Sequence, residues 1–303
     1  MILLLGASGY IGRMFAGELH RRGSQFVSLS RQALNYADFN VLFTFMRKVR
    51  PAFVINAAGY TRRPDQADGE AERAAMLRAN TILPQTIARA CLMTQTPWGH
   101  VSSAGVFAGA KIEEDGDLVI ERDFSQPELL HLLETQPEKI RGCTERDEPN
   151  CTFRQAPCSF LAGTKALAEE AIRGVGRSYI WRLGTPFNER AEPGNFLSRL
   201  QNQAMVLDDV LGLSHTADFV QACLELWDRR APYGAYNLTN PGFLTLRQIA
   251  QSIEGLNGTN NQLEFWQDTR KRPPGDDQNL AAHCVLDTGK LLAAGIKLRP
   301  VTE

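Results

Sequence analysis

This sequence lacks three features, and each absence excludes a class of protein. No apolar run approaches the roughly 20 residues that a membrane-spanning helix needs. The apolar start, Met1 to Leu5, is too short for the core of a signal peptide and has no basic residue before it. Basic and acidic side chains nearly cancel, 33 against 34, which leaves no broad positive field for nucleic acid or an anionic membrane. We therefore expect a cytoplasmic protein that binds neither.

The six cysteines follow no pattern that would give them a joint role. No two of them form a Cys-x-x-Cys pair, and none has a histidine at ligand spacing. We expect reduced thiols, most of them buried, and no metal site. Apolar residues make up 43% of the 303 residues, which suffices for the core of one large domain or of a domain with a smaller appendage.

What the sequence does contain is an alternation of short apolar runs with amphipathic stretches, the pattern of βαβ units and a parallel sheet. The predicted strands are 1–5, 26–29, 53–56, 100–103 and 179–183, and the predicted helices are 10–22, 40–49, 72–93, 163–173, 218–228 and 246–253. An acidic stretch with one helical pattern around Leu129–Leu133 interrupts this order and predicts an insertion at about 109–158 that carries a surface flap. We predict an α/β fold with a Rossmann-like doubly wound parallel sheet. Residues 1–184 would form a dinucleotide-binding domain, and residues 185–303 mainly a smaller substrate domain, with some segments returning to the core.

A glycine-rich turn follows the first predicted strand and opens the first predicted helix. Its residues are Gly6-Ala7-Ser8-Gly9-Tyr10-Ile11-Gly12. Glycines at this point let the backbone approach a pyrophosphate closely, and the backbone N–H groups and the positive helix end face it. The turn therefore predicts a nicotinamide dinucleotide as cofactor.

The end of the second predicted strand bears on the choice between NAD(H) and NADP(H). An Asp or Glu there would bind the ribose 2′-hydroxyl of NAD, but this sequence has Ser28-Leu29-Ser30-Arg31. Arg31, helped by Arg13, could pair with a 2′-phosphate, so the sequence favours NADP(H). A solvated surface arginine is the alternative interpretation.

Further motifs resemble the extended short-chain dehydrogenase/reductase superfamily, of the NAD-dependent epimerase/dehydratase type. They are Gly6–Gly12, Asn56-Ala57-Ala58-Gly59-Tyr60-Thr61 with Arg63-Pro64, Asn80, Ser102-Ser103, Gly163-Thr164-Lys165, Asn237-Leu238-Thr239-Asn240-Pro241-Gly242, Leu286-Asp287 and Gly295-Ile296. Within it, the chain is similar to the dTDP-4-dehydrorhamnose reductase branch and to the epimerase-reductase domain of UDP-rhamnose synthase. This resemblance implies an NADP(H)-dependent reductase or epimerase/reductase of a nucleoside-diphosphate 4-keto-6-deoxy sugar, with a homodimer or a protein partner as further possibilities.

The resemblance also implies which residues meet each ligand. Cofactor contacts would come from Gly6, Ser8, Gly9, Tyr10, Ile11, Gly12, Ser30, Arg31, Asn35, Ala57, Ala58, Gly59, Tyr60, Asn80 and Lys165. Substrate contacts would come from Ser103, Arg182, Asn195, Arg270 and Arg272. Arginine suits a diphosphate because its planar fork pairs bidentately with phosphate oxygens.

The catalytic motif of the family is incomplete in this chain. Members use a Ser or Thr together with Tyr-x-x-x-Lys, where the lysine lowers the phenol pKa and the phenol exchanges a proton with the substrate carbonyl oxygen. Ser103 matches the hydroxyl and Lys165 the lysine, but Leu161 stands at the tyrosine position. Gly105 stands where related epimerase/reductases place a proton-exchanging cysteine.

Three interpretations remain open from the sequence. In the first, the protein still reduces a nucleotide-linked keto sugar, and Ser103, Cys158, Tyr60 or an ordered water donates the proton. In the second, it binds NADP(H) without catalysis, as a regulatory subunit. In the third, Leu161 replaces a tyrosine that a parent protein carries.

Overall fold

The computed structural model describes residues 1–60, 69–114, 116–124, 126–156, 158–201, 205–257, 264–266 and 283–303. In chain order the strands are β1 (Ile2–Leu5), β2 (Phe26–Leu29), β3 (Phe53–Asn56), β4 (Trp98–Ser103), β5 (Ala110–Glu114), β6 (Asp117–Glu121), β7 (Ile140–Arg141), β8 (Ser178–Leu183), β9 (Thr185–Phe187), β10 (Met205–Leu207), β11 (Val210–Leu211), β12 (Leu213–His215), β13 (Gly234–Leu238), β14 (Leu244–Thr245) and β15 (Glu264–Trp266). The α-helices are α1 (Tyr10–Arg21), α2 (Phe39–Val49), α3 (Glu70–Leu77), α4 (Leu83–Met93), α5 (Pro127–Thr135), α6 (Phe160–Ile172), α7 (Phe196–Leu200), α8 (Thr216–Asp228), α9 (Leu246–Asn257) and α10 (Gly289–Ala293). A π-helical turn, Arg78–Ile82, joins α3 to α4 in one continuous helix.

The central sheet has six parallel strands in the order β2-β1-β3-β4-β8-β13. The predicted doubly wound α/β fold is confirmed. The strand order reverses at β1, which has β2 on one side and β3 on the other. Ligands of such sheets bind outside the carboxyl ends of the strands at this reversal.

Alternating side chains of the strands build two apolar layers, one on each face of the sheet. Leu4 packs with Phe15 of α1 and with Phe219 of α8. Its neighbours Leu3 and Leu5 point the other way and pack with residues of α2 and α4. Because both faces are covered, the inner strands β1 and β3 carry apolar side chains up to Asn56 at the end of β3, and this is why the sequence shows them as continuous runs.

The predicted insertion contains a small sheet of its own. Strands β5 and β6 form an antiparallel hairpin, and β7 pairs with the other edge of β5. Gly116, with a φ of +88°, lies in the turn of the hairpin. The helix expected around Leu129–Leu133 is confirmed as α5, whereas the strands of the acidic flap are not apparent in the sequence pattern.

The second half of the chain does not stay apart from the central sheet. Strand β13 forms its outer edge, and α8 packs on α1. The division at residue 184 stays a prediction. Among the described helices, none combines the length and the apolar character that crossing a membrane requires.

Candidate active site

The glycine-rich turn between β1 and α1 is packed so closely that side chains would not fit. Gly6 has a φ of +82°, and a Cβ on it would lie 2.4 Å from the backbone nitrogen of Ala58. A Cβ on Gly12 would lie 2.0 Å from the carbonyl oxygen of Gly6. Gly9 caps α1 without a side-chain hydrogen bond, and no acidic residue lies in the first turn of this helix. The turn and the positive helix end therefore fit a pyrophosphate.

The loop after β2 carries the residues expected near the adenosine ribose. Ser30 is exposed, and its Oγ accepts a hydrogen bond from Ala33 N at 3.1 Å. Asn35 is also exposed, and its carbonyl oxygen accepts from Asp38 N at 3.0 Å. The Asp38 carboxylate caps α2 by accepting from the backbone of Val41. This carboxylate is therefore engaged by the backbone of α2.

Arg31 lies in the same loop beside a tyrosine that the sequence analysis did not single out. Tyr36 is buried, and burial raises the pKa of its phenol, while the charge of Arg31 and a hydrogen bond with the backbone of Gly6 oppose the shift. Tyr36 thus connects the glycine turn to the Arg31 loop. An isolated aromatic residue in a polar loop was the only sequence signal for it.

The loop after β3, Ala57 to Tyr60, packs beside the glycine turn and is fixed by Asn80. The side chain of Asn80 accepts from the backbone nitrogen of Tyr60 at 2.8 Å and donates to its carbonyl oxygen at 2.9 Å. Asn80 is fully buried within the π-helical turn, a distortion that often marks functional sites. Its amide is taken by this loop and by the hydroxyl of Thr164, so Asn80 shapes the loop that is expected to contact the cofactor.

Lys165 and Ser103 lie next to this loop, at the carboxyl end of β4. The Nζ of Lys165 donates to the carbonyl oxygen of Val101 at 3.2 Å, and a Cβ on Gly59 would lie only 3.4 Å from this nitrogen. Ser103 follows Val101 by two residues on β4, and its Oγ accepts from Gly105 N at 3.0 Å. The structure therefore brings Lys165 and Ser103 together with the loop after β3.

Burial changes the ionisation of Lys165. It lowers the pKa of this lysine to about 8, and the negative charge of Glu169, one helical turn later, acts in the opposite direction. His100 lies in β4 beneath it, fully buried. Burial and then the charge of Lys165 lower the pKa of this imidazole well below its ordinary value, so His100 is neutral and adds no second positive charge.

Leu161 lies one turn before Lys165 in α6 and is partly exposed. Its backbone carbonyl accepts a hydrogen bond from the hydroxyl of Thr164 at 2.7 Å, and its side chain has no polar atom. The helix therefore presents an isobutyl group where the resemblance implies a phenol.

Two of the replacement proton donors considered above have their protons directed elsewhere. The Tyr60 hydroxyl donates to the carboxylate of Glu72. The thiol of Cys158 donates to the carbonyl oxygen of Ser159, and burial raises its pKa to about 11. Ser103 differs, because its Oγ accepts a hydrogen bond from Gly105 N, and among the described residues its own proton has no acceptor.

Arg182, expected to contact substrate, is in the core. It is 1% exposed, and its guanidinium donates to both carboxylate oxygens of Glu169 at 2.8–3.2 Å. Ser102 Oγ donates to the same carboxylate at 2.5 Å. The donors of Arg182 are thus used inside the protein, and a diphosphate cannot reach them in this arrangement.

Asn195 is also occupied by the protein itself. Its side chain caps α7 by accepting from Leu197 N at 3.1 Å, and it donates to the carbonyl oxygens of Asn188 and Arg190. It is 2% exposed and shapes the segment from 188 to 195. The other two arginines expected at the substrate, Arg270 and Arg272, lie outside the described residues.

The segment shaped by Asn195 lies against the start of α1. A Cβ on Gly194 would lie 2.4 Å from the ring of Tyr10. Arg13 donates to Glu192 at 2.7 Å and to the carbonyl oxygen of Ser8 at 3.1 Å. Arg13 is therefore paired on this side of the turn, which leaves Arg31 as the positive side chain at the end of β2.

Comparison with known proteins shows the family of this chain. A family model described as the RmlD substrate binding domain matches residues 1–302. The chain belongs to this family. A dTDP-4-dehydrorhamnose reductase of Aggregatibacter actinomycetemcomitans is 31% identical over 259 residues, which cover 83% of this chain and 77% of that protein. The resemblance stated from the sequence is confirmed.

A longer plant protein and two solved structures are also similar to this RmlD-family chain. A trifunctional UDP-glucose 4,6-dehydratase/UDP-4-keto-6-deoxy-D-glucose 3,5-epimerase/UDP-4-keto-L-rhamnose-reductase of Arabidopsis thaliana is 23% identical over 82% of this chain, but the match spans only 33% of that protein. The UDP-rhamnose synthase of Acanthamoeba polyphaga mimivirus has the same fold, with a TM-score of 0.77, 17% identity and coverage of 99% and 95%. A Bacillus anthracis dTDP-4-dehydrorhamnose reductase in complex with NADP gives a TM-score of 0.70, 18% identity and coverage of 99% and 93%.

Proposed function

We propose that this protein reduces the 4-keto group of a nucleoside-diphosphate 4-keto-6-deoxy sugar with NADP(H). The names of its relatives describe reductases of such sugars, and one solved relative is in complex with NADP. The observation that carries the proposal is the meeting of the glycine turn, Lys165 and Ser103 at the carboxyl ends of β1, β3 and β4. The proposal does not include the dehydratase activity named for the plant relative, because the match to this chain spans only 33% of that protein.

The residues of the chain divide the work between binding and proton transfer. When bound, a reduced nicotinamide would supply the hydride that the carbonyl carbon needs. Lys165, beside Gly59, would hold the nicotinamide ribose with its ammonium group. Ser103 would donate its proton to the carbonyl oxygen, and the N–H of Gly105 stabilises the Ser103 oxygen as the proton leaves.

This division of work is tested by turnover in single variants. We expect slow oxidation of NADPH with a nucleoside-diphosphate 4-keto sugar at high protein concentration, and a loss of roughly 10²-fold or more in Ser103→Ala. Cys158→Ala is the matched control, and its rate should stay within twofold of the unsubstituted protein. Equal rates in Ser103→Ala and the unsubstituted protein would remove Ser103 from the proposed role.

Preference for NADP(H) is the second part of the proposal. It is supported by the exposed Arg31 at the end of β2, by the absence of an acidic residue at 28–31, and by the use of the Asp38 carboxylate as a helix cap. Arg31→Ala should weaken NADP binding about tenfold, or roughly 1.4 kcal/mol, and leave NAD binding unchanged. Lys48→Ala on α2 is the control. Tighter binding of NAD than of NADP by the unsubstituted protein would contradict the assignment.

For the diphosphate of the substrate, Arg270 and Arg272 remain as proposed ligands, since the donors of Arg182 and Asn195 bind protein groups. Substitution of either arginine by glutamine should raise the KM for the nucleotide sugar and change kcat little. An unchanged KM in both variants would exclude them.

A second function is favoured by Leu161 and Gly105, which both lack a transferable proton. In this alternative the chain is a cofactor-binding regulatory subunit without catalysis. It predicts stoichiometric binding of NADP(H) and no turnover with any nucleotide keto sugar, together with co-purification of a protein partner.

A further inference from the structure

The opposite end of the central sheet contains a second concave site. The amino ends of β3, β4 and β8 and the carboxyl ends of α2, α4 and α8 surround a cavity of about 860 Å³. Four arginines line this cavity, which we call the arginine basin: Arg47, Arg50, Arg177 and Arg230. The basin and the candidate active site lie at opposite ends of strand β4. The six residues of this strand, at roughly 3.3 Å each, place the two sites about 20 Å apart.

The positive charge of the basin is not balanced by the protein. No carboxylate lines it, and none of its four arginines pairs with an acidic residue in the part of the chain that the structure describes. Arginines at other helix ends are paired: Arg22 binds Glu18, and Arg173 binds Glu148. The three helix ends at the basin carry together roughly −1.5 elementary charges, so a surplus of more than two positive charges remains.

Backbone conformation sets the basin apart as well. Among the described residues, three that are not glycine have a left-handed φ: Arg50 at 49°, Gln95 at 53° and Arg230 at 55°. All three line the basin. The left-handed region disfavours side chains, and helices usually reach it with glycine. This chain follows that rule at the ends of α1, α6 and α10, where Gly23, Gly174 and Gly295 have φ values of 64°, 74° and 79°. The basin thus keeps side chains where glycine would fit the backbone better.

Aromatic and backbone groups hold three of the guanidinium groups in place. Trp227 stacks on the buried Phe53 at 4.4 Å, and the Arg230 guanidinium lies 3.7 Å from the Trp227 ring centroid. The guanidinium of Arg47 lies over the ring of Phe43, and Arg177 donates to the carbonyl oxygen of Gln95. Such groups lose little freedom when they bind a ligand.

We propose that the arginine basin binds a polyphosphate anion, at a site separate from the cofactor and from the sugar nucleotide. Several guanidinium groups converge there without a carboxylate, and guanidinium pairs bidentately with phosphate oxygens. A single phosphate, with roughly two negative charges at most, would leave part of the surplus charge unbalanced, whereas a chain of two or three phosphates balances all of it. The volume fits a ligand of nucleotide size. Both inorganic polyphosphate and a nucleoside polyphosphate carry this group.

Titration calorimetry with tripolyphosphate and with ATP tests the proposal. The protein is first saturated with its nicotinamide dinucleotide, so that the glycine turn is filled. We expect one equivalent of tripolyphosphate to bind, with an affinity that falls as salt is added. ATP that binds as tightly as tripolyphosphate identifies the polyphosphate group alone as the ligand, and ATP that binds more than tenfold tighter identifies a nucleotide.

The backbone conformation supplies matched variants. Arg50→Gly with Arg230→Gly removes two positive charges and leaves residues that suit the left-handed conformation, so the fold is kept. This double variant should bind tripolyphosphate at least tenfold more weakly, and its affinity for the dinucleotide should not change. Gln95→Gly makes the same backbone change without loss of charge and should bind within twofold of the unsubstituted protein. Absence of binding at millimolar tripolyphosphate, or equal affinity in the double variant, overturns the proposal.

Discussion

Leu161 precedes Lys165 by one turn of α6, so both side chains lie on the helix face that approaches the loop after β3. The lysine keeps its position beside Gly59. Leu161 stands where the resemblance implies a proton-donating tyrosine, and its side chain has no proton to give. The reductase function proposed above therefore needs a proton donor other than residue 161.

The glycine turn gives the most direct test of cofactor binding. A Cβ on Gly12 would meet the carbonyl oxygen of Gly6 at 2.0 Å, so Gly12→Ala must displace the turn. We expect dinucleotide affinity to fall at least tenfold, about 1.4 kcal/mol. Gly17→Ala in the same helix is the control, because a Cβ there meets nothing within 4 Å and should stabilise the helix by roughly 0.5–1 kcal/mol. Calorimetric titration of both variants checks this, and undiminished binding by Gly12→Ala would be a contrary result.

Asn80 is expected to act on the cofactor through Tyr60. Asn80→Leu breaks both hydrogen bonds to the Tyr60 backbone, worth about 1 kcal/mol each, and should weaken dinucleotide binding tenfold or more. Thr81→Val in the same π-helical turn breaks the hydrogen bond to the Thr164 carbonyl and leaves the loop intact. It should lower the free energy of unfolding without changing dinucleotide affinity. Equal loss of affinity in the two variants would mean that Asn80 has no specific role in the loop.

Much of the fold could be predicted because the inner strands β1 and β3 are almost entirely buried. The predicted ranges of β2 and β3 match the structure, and α2 starts one residue earlier than predicted. Strand β4 begins at Trp98, two residues before the predicted start, since Gly99 reads as a strand breaker. In the structure the ring of Trp181 fills the space that a Cβ on Gly99 would need, and only glycine fits there.

The site was harder to predict where a residue's role depends on distant partners. The glycine turn is a local pattern of residues 6–12, so the sequence alone predicts it. Arg182 looked like a phosphate ligand because nothing near it in the sequence shows that Glu169 of α6 reaches it in the core. Asn80 was expected to touch the cofactor, but its amide groups bind Tyr60, which is 20 residues earlier. Such pairings arise only when the helices and strands pack.

Lys165 predicts a pH dependence of stability. Burial lowers its pKa from 10.5 to about 8 in the folded protein, so between these values the unfolded chain holds more protons than the folded one. The contribution of Lys165 to stability therefore rises with pH in this range. The free energy of unfolding of the unsubstituted protein, measured relative to that of Lys165→Met, should therefore increase from about pH 7.5 to about pH 10, the range in which the folded and unfolded states differ in protonation. A difference that does not change with pH would show that Lys165 is not desolvated.

The ion pair of Arg182 and Glu169 should matter for stability. Glu169→Gln leaves a buried guanidinium without its counter-charge, and we expect a loss of about 3–5 kcal/mol in chemical unfolding. Replacing both partners in Glu169→Leu/Arg182→Met should recover most of that loss. A loss under roughly 1 kcal/mol in Glu169→Gln, the magnitude of an exposed pair, would argue that the pair is open to solvent.

The most direct test of the proposed function is NADPH oxidation with a nucleoside-diphosphate 4-keto sugar, measured for the unsubstituted protein, Leu161→Tyr and Leu161→Phe. We expect slow turnover by the unsubstituted protein, a rate roughly 10²–10⁴-fold higher in Leu161→Tyr, and no gain in Leu161→Phe, which adds the ring without the hydroxyl. Turnover in Leu161→Tyr alone would show that Leu161 has cost the chain its activity. Dinucleotide binding by all three proteins without turnover in any of them would contradict the reductase function and support the regulatory one.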